Sequence, residues 1–137
     1  MDTDKAQIDS EKDYPHSELT EKIIGAAFEV HNELGWGFLE KVYENALIAE
    51  LRDRQIAVIP QPEIPVRYKG KTIGLYNGDL LVAGEVLVEI KALSALNTVH
   101  EAQLLHYLKA SGIEVGLLMN FGRPSVQVKR MVRTKTN

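Results

Sequence analysis

The stretch DLLVAGEVLVEIKAL, residues 79–93, breaks at Ala83-Gly84 into two apolar halves. In an extended chain successive side chains alternate between faces, so Val86, Val88 and Ile90 share one side and Leu87, Glu89 and Lys91 the other. A strand apolar on one entire face and partly on the other belongs in the middle of a sheet. A carboxylate and an ammonium placed there carry a heavy desolvation cost unless they pair or bind something. Where Asp79 falls depends on the turn. A three-residue loop, Val82-Ala83-Gly84, with Gly84 left-handed, sets Leu81 against Glu85 and Asp79 against Leu87, on the face of Glu89 and Lys91. A two-residue loop, Ala83-Gly84, sets Asp79 against Val88, on the wrong side. A site built from Asp79, Glu89 and Lys91 therefore demands an odd-length loop or a bulge. Otherwise Glu89 and Lys91 form an ordinary ion pair on a half-exposed strand and Asp79 merely flanks a turn.

Working outward, Thr98-Val-His-Glu101 fits a capping box opening a helix that stops at Ser111-Gly112. Val115 to Met119 is apolar without alternation, as a strand buried on both faces should be, and Ser125 to Val132 alternates as a last strand. Upstream, Tyr76 to Val82 reads as a strand, and Val66 to Tyr68 with Lys71 to Ile73 reads as a hairpin about Lys69-Gly70. Ile56 to Ile59 is a short β-branched run. The prolines after it, Pro60, Pro62 and Pro65, suit an edge strand or loop. Two helices come first. One is capped by Ser17 or Thr20, carries Leu19, Ile23, Ala27, Val30 and Leu34, and ends at Gly35 and Gly37. The other spans about Leu39 to Arg54. Residues 1–16 lack periodicity and read as a mobile tail, leaving 17–137 as one domain. The order predicts an α/β fold, a central mixed β-sheet flanked by α-helices.

At 137 residues, 45% hydrophobic and 26% charged, the chain is one globular domain with a core of its own. The lack of cysteine excludes disulfide scaffolds, thiolate zinc sites, cysteine nucleophiles and iron–sulfur clusters. No apolar run reaches the roughly 18 residues of a membrane span, and the acidic start MDTDKAQIDS is unlike a signal peptide, so a cytoplasmic location away from membranes is expected. The net charge of −3 is uneven. Residues 1–18 carry −4, the remainder +1, and the last fifteen residues hold Arg123, Lys129, Arg130, Arg133 and Lys135 without an acid. Such a body permits a phosphate-binding face without demanding one.

Asp79 and Glu89-Ile90-Lys91 have the form D-x9-E-x-K. Gln103 and Tyr107 give Q-x3-Y on the following helix, and Gly37-Phe-Leu-Glu40-Lys-Val-Tyr43 gives G-x2-E-x2-Y. Together these resemble the PD-(D/E)XK nuclease superfamily, of RecB-like or restriction-endonuclease-like fold, and within it the small GxxExxY family. The likeness spans about residues 19 to 132. It implies a Mg2+-dependent (or Mn2+-dependent) nuclease acting on DNA. Asp79, Glu89, the Ile90 main-chain carbonyl and Glu40 would hold the cation, Lys91 would hold the water or the phosphate, and Gln103 and Tyr107 would contact the nucleic-acid backbone or brace Lys91.

The chemistry agrees. A hard divalent ion neutralises phosphate charge and makes hydroxide available near neutral pH, and it prefers oxygen ligands. Tyr43 fits both an apolar stripe and the site. His31, late in the first helix, reads better as a carbonyl-bonded residue than as a ligand. His100, one turn before Gln103, can approach the site, while His106 faces solvent. Trp36 reads as packing at the helix–helix corner, with base stacking as the other option. Lys69, Lys71 and Arg123 are candidate phosphate contacts. No histidine pair has zinc spacing, so no zinc is expected. A chain this short leaves no room for a separate target-reading domain, so sequence-specific cutting is not expected unless a protein partner or a homodimer supplies recognition. The rival functions are a non-catalytic nucleic-acid-binding or assembly module that keeps the site, and a metal-dependent hydrolase of smaller phosphoesters.

Overall fold

A computed structural model describes residues 15–133. The tail expected over 1–16 lies outside the described residues except for Pro15 and His16, which turn into the first helix; Lys135 lies outside them too. The elements follow as α1 (Ser17–Leu34), α2 (Glu40–Asp53), β1 (Val58–Pro60), β2 (Glu63–Tyr68), β3 (Lys71–Asn77), β4 (Leu80–Val82), β5 (Val86–Lys91), α3 (Thr98–Ser111), β6 (Val115–Asn120) and β7 (Gln127–Val132).

Five strands form a central sheet in the order β1-β4-β5-β6-β7. Only β5 and β6 run parallel, joined through α3, so the sheet is mixed as expected. The charged strand β5 occupies the centre. Its Val86, Val88 and Ile90 pack with Leu117 and Met119 against α1 and α2, through Ile23, Ala27, Leu47 and Leu51. On the opposite face Leu87 and Leu118 meet Leu104 and Leu108 of α3 and Ile64 of β2. Gly116 lets α3 close in, since a Cβ there would stand 3.1 Å from the Leu104 side chain. All of β6 is buried. None of the described helices is long and apolar enough to cross a membrane.

Three expectations give way. The run Tyr76 to Val82 is not one strand: β3 pairs only with β2, as a separate two-stranded ribbon, and the chain switches to the central sheet at Gly78-Asp79. Main-chain bonds from Gln61 N to Asp79 O and from Gly78 N to Pro62 O, both 2.9 Å, fix this crossing. Helix α1 has no side-chain cap: its N-cap is His16, and the Thr20 hydroxyl instead donates to Ser17 O within the first turn. The capping box of α3 is set one residue earlier than expected, with Asn97 accepting from Val99 N and His100 Nδ1 accepting from Asn97 N. Asparagine is the stronger cap because its short carbonyl arm reaches the free amides. The prolines fall where their missing N–H is harmless: Pro60 ends the edge strand β1 and Pro65 lies in the two-stranded ribbon.

The C-terminal end of β5 is stapled by Asn120. This fully buried amide accepts from Leu93 N (2.8 Å) and Gly122 N (3.1 Å) and donates to Leu93 O (2.9 Å) and Gln127 Oε1 (3.1 Å), so every polar valence is used. Gly122 lies directly against this segment: a Cβ would overlap Leu93 N and stand 2.5 Å from Leu93 O and 2.6 Å from Ala92 C. Gly122→Ala therefore has to displace main chain two residues from Lys91. We expect a loss above the ~1–3 kcal/mol typical of an overpacked side chain, read as a lower urea midpoint at unchanged slope.

Candidate active site

The turn between β4 and β5 decides where Asp79 lies. Val82 pairs with Val86, leaving Ala83-Gly84-Glu85 as a three-residue loop. Ala83 and Gly84 are both left-handed (φ 53° and 69°), and Glu85 N bonds Val82 O at 2.9 Å. The loop is odd, as the site requires, but sits one residue later than the Val82-Ala83-Gly84 expected. The ladder ends at Leu80–Val88, so Asp79 comes next, opposite Glu89 rather than Leu87. The two residues then hold each other. Asp79 Oδ2 accepts from Ile90 N (2.7 Å), and Asp79 N donates to Glu89 Oε1 (3.2 Å). Because the N–H and C=O of one strand residue project to the same edge, the Ile90 carbonyl also opens towards Asp79.

Glu89 is buried and Asp79 half-buried. Burial, with Asp79 beside it, pushes the Glu89 carboxyl up to about 7, although the Tyr76 and Asp79 N–H bonds and the Lys91 ammonium pull the other way. Burial raises Asp79 to about 6, opposed by the Ile90 N–H bond and Lys91 and reinforced by Glu44 and Glu40. Two carboxylates and one amine thus share a poorly hydrated spot, and negative charge there is under-compensated.

On the side of α2, Glu40 is exposed in the first turn, whereas Glu44, one turn on, is buried. Glu44 accepts from Lys41 Nζ (2.5 Å) and Gln61 Nε2 (3.1 Å), and it acts on Asp79 more strongly than Glu40 does. Glu40 does not close a three-carboxylate cage with Asp79 and Glu89: among the described residues, no three Asp, Glu or His side chains are grouped to hold a metal. Its exposed place at the helix start is the reason. In the sequence Glu44 stands only as the i+4 neighbour of Glu40, with nothing to mark it as the buried acid of the pair.

On the other side, the Tyr76 hydroxyl of β3 donates to Glu89 Oε2 at 2.6 Å, and its ring stacks on Tyr107 with centroids 3.5 Å apart and planes 10° from parallel. Burial first, then Glu89, raises the pKa of Tyr76, and burial and Glu89 likewise raise that of Tyr107. Tyr76 carries no motif and appeared in the sequence only as an aromatic in a strand. Gln103, on the same helix as Tyr107, is exposed.

The remaining candidates divide. Tyr43 is fully buried, stacked on Phe121 at 4.9 Å, with its hydroxyl donating to Gly35 O (2.7 Å) and accepting from Phe38 N (3.3 Å). It clamps the α1–α2 corner and cannot meet nucleic acid. Trp36 is 60% exposed, so the packing expected at that corner is supplied by Tyr43 instead. His31 Nε2 lies 2.8 Å from Arg123 O, a structural tie to a carbonyl outside its own helix. His100 is occupied in the capping box, and His106 is exposed. Arg123 donates to Ser94 O, while Lys69 and Lys71 flank the exposed ribbon turn.

The family model of the PD-(D/E)XK nuclease superfamily matches residues 17–131. The chain matches none of the curated proteins. Among solved structures, that of SSO0001 aligns with a TM-score of 0.54 at 17% identity, over 70% of this chain and 50% of its own, so the chain spans about half the length of that protein. An alkaline exonuclease, LHK-Exo from Laribacter hongkongensis, aligns at a TM-score of 0.41 and 12% identity, over 79% of this chain and 76% of its own.

Proposed function

Since the chain belongs to the PD-(D/E)XK nuclease superfamily, we propose that its Asp79–Glu89–Lys91 cluster hydrolyses DNA phosphodiester bonds with Mg2+ or Mn2+, as a GxxExxY-type member. The observation that carries this is the mutual clamp of Asp79 and Glu89, which holds two carboxylates at one desolvated spot with Lys91 beside them. The donor set fits a hard cation. Magnesium keeps several waters and needs only one or two carboxylates, so the absence of a third close acid is no obstacle. Asp79, Glu89 and the Ile90 carbonyl would hold it, with Glu40 and Glu44 acting through water.

When bound, the cation lowers the pKa of water and offsets charge on the phosphate. The chain's own residues do the rest. Ile90 N–H and Tyr76 O–H fix the acids in orientation. Lys91 binds a phosphate oxygen or the attacking water and attracts the substrate electrostatically. Exposed Gln103 donates to the backbone of the bound strand. Target choice would come from a protein partner or from a second copy of the chain.

The protein incubated with labelled linear, nicked and single-stranded DNA is expected to cut in Mg2+ or Mn2+ and to stop when the cation is chelated. Binding without cutting in either metal would instead identify a non-catalytic module. Cutting of a chromogenic phosphodiester but not of DNA would identify a small-substrate hydrolase.

A further inference from the structure

A cleft of about 500 Å³ lies between the ribbon and α3. Its walls include Pro65, Val66 and Arg67 of β2 and His106, Tyr107 and Lys109 of α3. No carboxylate lines it. Arg67, His106 and Lys109 are exposed, and among the described residues neither Arg67 nor Lys109 is ion-paired. The register of the ribbon slips between Val66–Gly74 and Arg67–Thr72, leaving Ile73 of β3 as the extra residue, and such a bulge adds local twist to the ribbon beside the cleft. Tyr107 of the cleft wall stacks on Tyr76, which bonds Glu89, so two stacked rings separate the cleft from the acid cluster.

We propose that this cleft binds single-stranded polynucleotide, with Arg67 and Lys109 on its phosphates and the strand continuing past Tyr107 to the Asp79–Glu89 site. The proposal rests on the nuclease reading of that site and adds the substrate's form. A cationic groove with an aromatic wall is the general solution for holding one strand without reading its sequence. A volume near 500 Å³ takes nucleotide-sized pieces, not a duplex. The uniform sign of the lining favours a polyanion over a neutral or mixed-charge peptide.

The test is binding in a chelator, where no cutting occurs, using fluorescein-labelled oligothymidylate, oligouridylate, duplex DNA and polyglutamate. The proteins are wild type and Arg67→Gln/Lys109→Gln, two exposed substitutions whose folding is checked by thermal melting. Wild type should prefer either single strand to duplex and to polyglutamate. The double variant should lose about tenfold in single-strand affinity, with a salt slope lower by about 1.4, since each neutralised phosphate of a single strand contributes about 0.7. Should a variant melt early, Arg67→Lys/Lys109→Arg keeps both charges and must restore binding. Unchanged binding by a folded variant overturns the cleft while leaving metal-dependent cutting by wild type intact. Equal binding of duplex or of polyglutamate overturns the single-strand assignment. Wild type that neither binds nor cuts any nucleic acid overturns the nuclease reading itself.

Discussion

Glu89→Gln should abolish metal-dependent cutting and, without metal at pH 8, make the protein more stable. The activity loss follows from removing one of the two carboxylates proposed to hold the cation; several kcal/mol of charge stabilisation corresponds to at least about 10³-fold in rate. The stability gain follows from linkage. An acid whose pKa is raised on folding binds its proton more tightly in the folded state. Its favourable contribution is present below the unfolded carboxylate pKa and is lost as pH rises through the folded value, about 7 for Glu89. Wild type should thus weaken between pH 4 and 8, by an amount on the order of 3 kcal/mol from this residue. The amide removes that slope and still fits: its oxygen accepts from Asp79 N and its nitrogen donates to the Tyr76 hydroxyl. Urea denaturation across this pH range is the measurement. A flat wild-type profile, or a variant less stable at pH 8, contradicts the desolvated-acid account. Lys91→Ala is the companion: it should slow cutting by about 10²-fold while Mn2+ binding persists, because an ammonium activates but does not ligate.

Tyr76→Phe should weaken Mn2+ binding by about 10- to 100-fold, the usual cost of losing a hydrogen bond to a ligating group. The hydroxyl fixes Glu89 Oε2, and Asp79 N fixes Oε1, so the carboxylate has one orientation. Phenylalanine keeps the ring stack with Tyr107 and frees the carboxylate to turn. Tyr107→Phe should bind Mn2+ like wild type, and Tyr107→Ala should fall between, since Tyr107 supports Tyr76 through its ring. Titration calorimetry with Mn2+ separates the three. Equal affinities for wild type and Tyr76→Phe would leave Tyr76 with packing alone.

What the sequence revealed and what it hid follow from locality. Alternation along β5 placed Glu89 and Lys91 on one face because the period of a strand is a local property, and the need for an odd turn placed Asp79 with them. The full burial of β6 was legible for the same reason. Glu44, Tyr76 and Asn120 were not legible as functional or structural centres. Their importance comes from partners 17, 13 and 27 residues away, Gln61, Glu89 and Leu93. The split of β3 from β4 was hidden as well. Tyr76 to Val82 is apolar enough to read as continuous, and only the bonds of Gly78 and Gln61 across the junction reveal a change of sheet. Trp36 misled because glycine-flanked tryptophan suggests a buried corner, while the neighbouring Tyr43 had already filled it.

That change of sheet gives the two ends of the ribbon unequal freedom. At the outer tip, Lys69-Gly70 can be lengthened or shortened and alters only reach. At the root, a single residue inserted between Asn77 and Leu80 would rotate the aspartate away from its glutamate and disconnect the pair. The root is a fixed joint, the tip an adjustable fitting, and relatives of this protein should differ in size at the tip while conserving the residue count at the root.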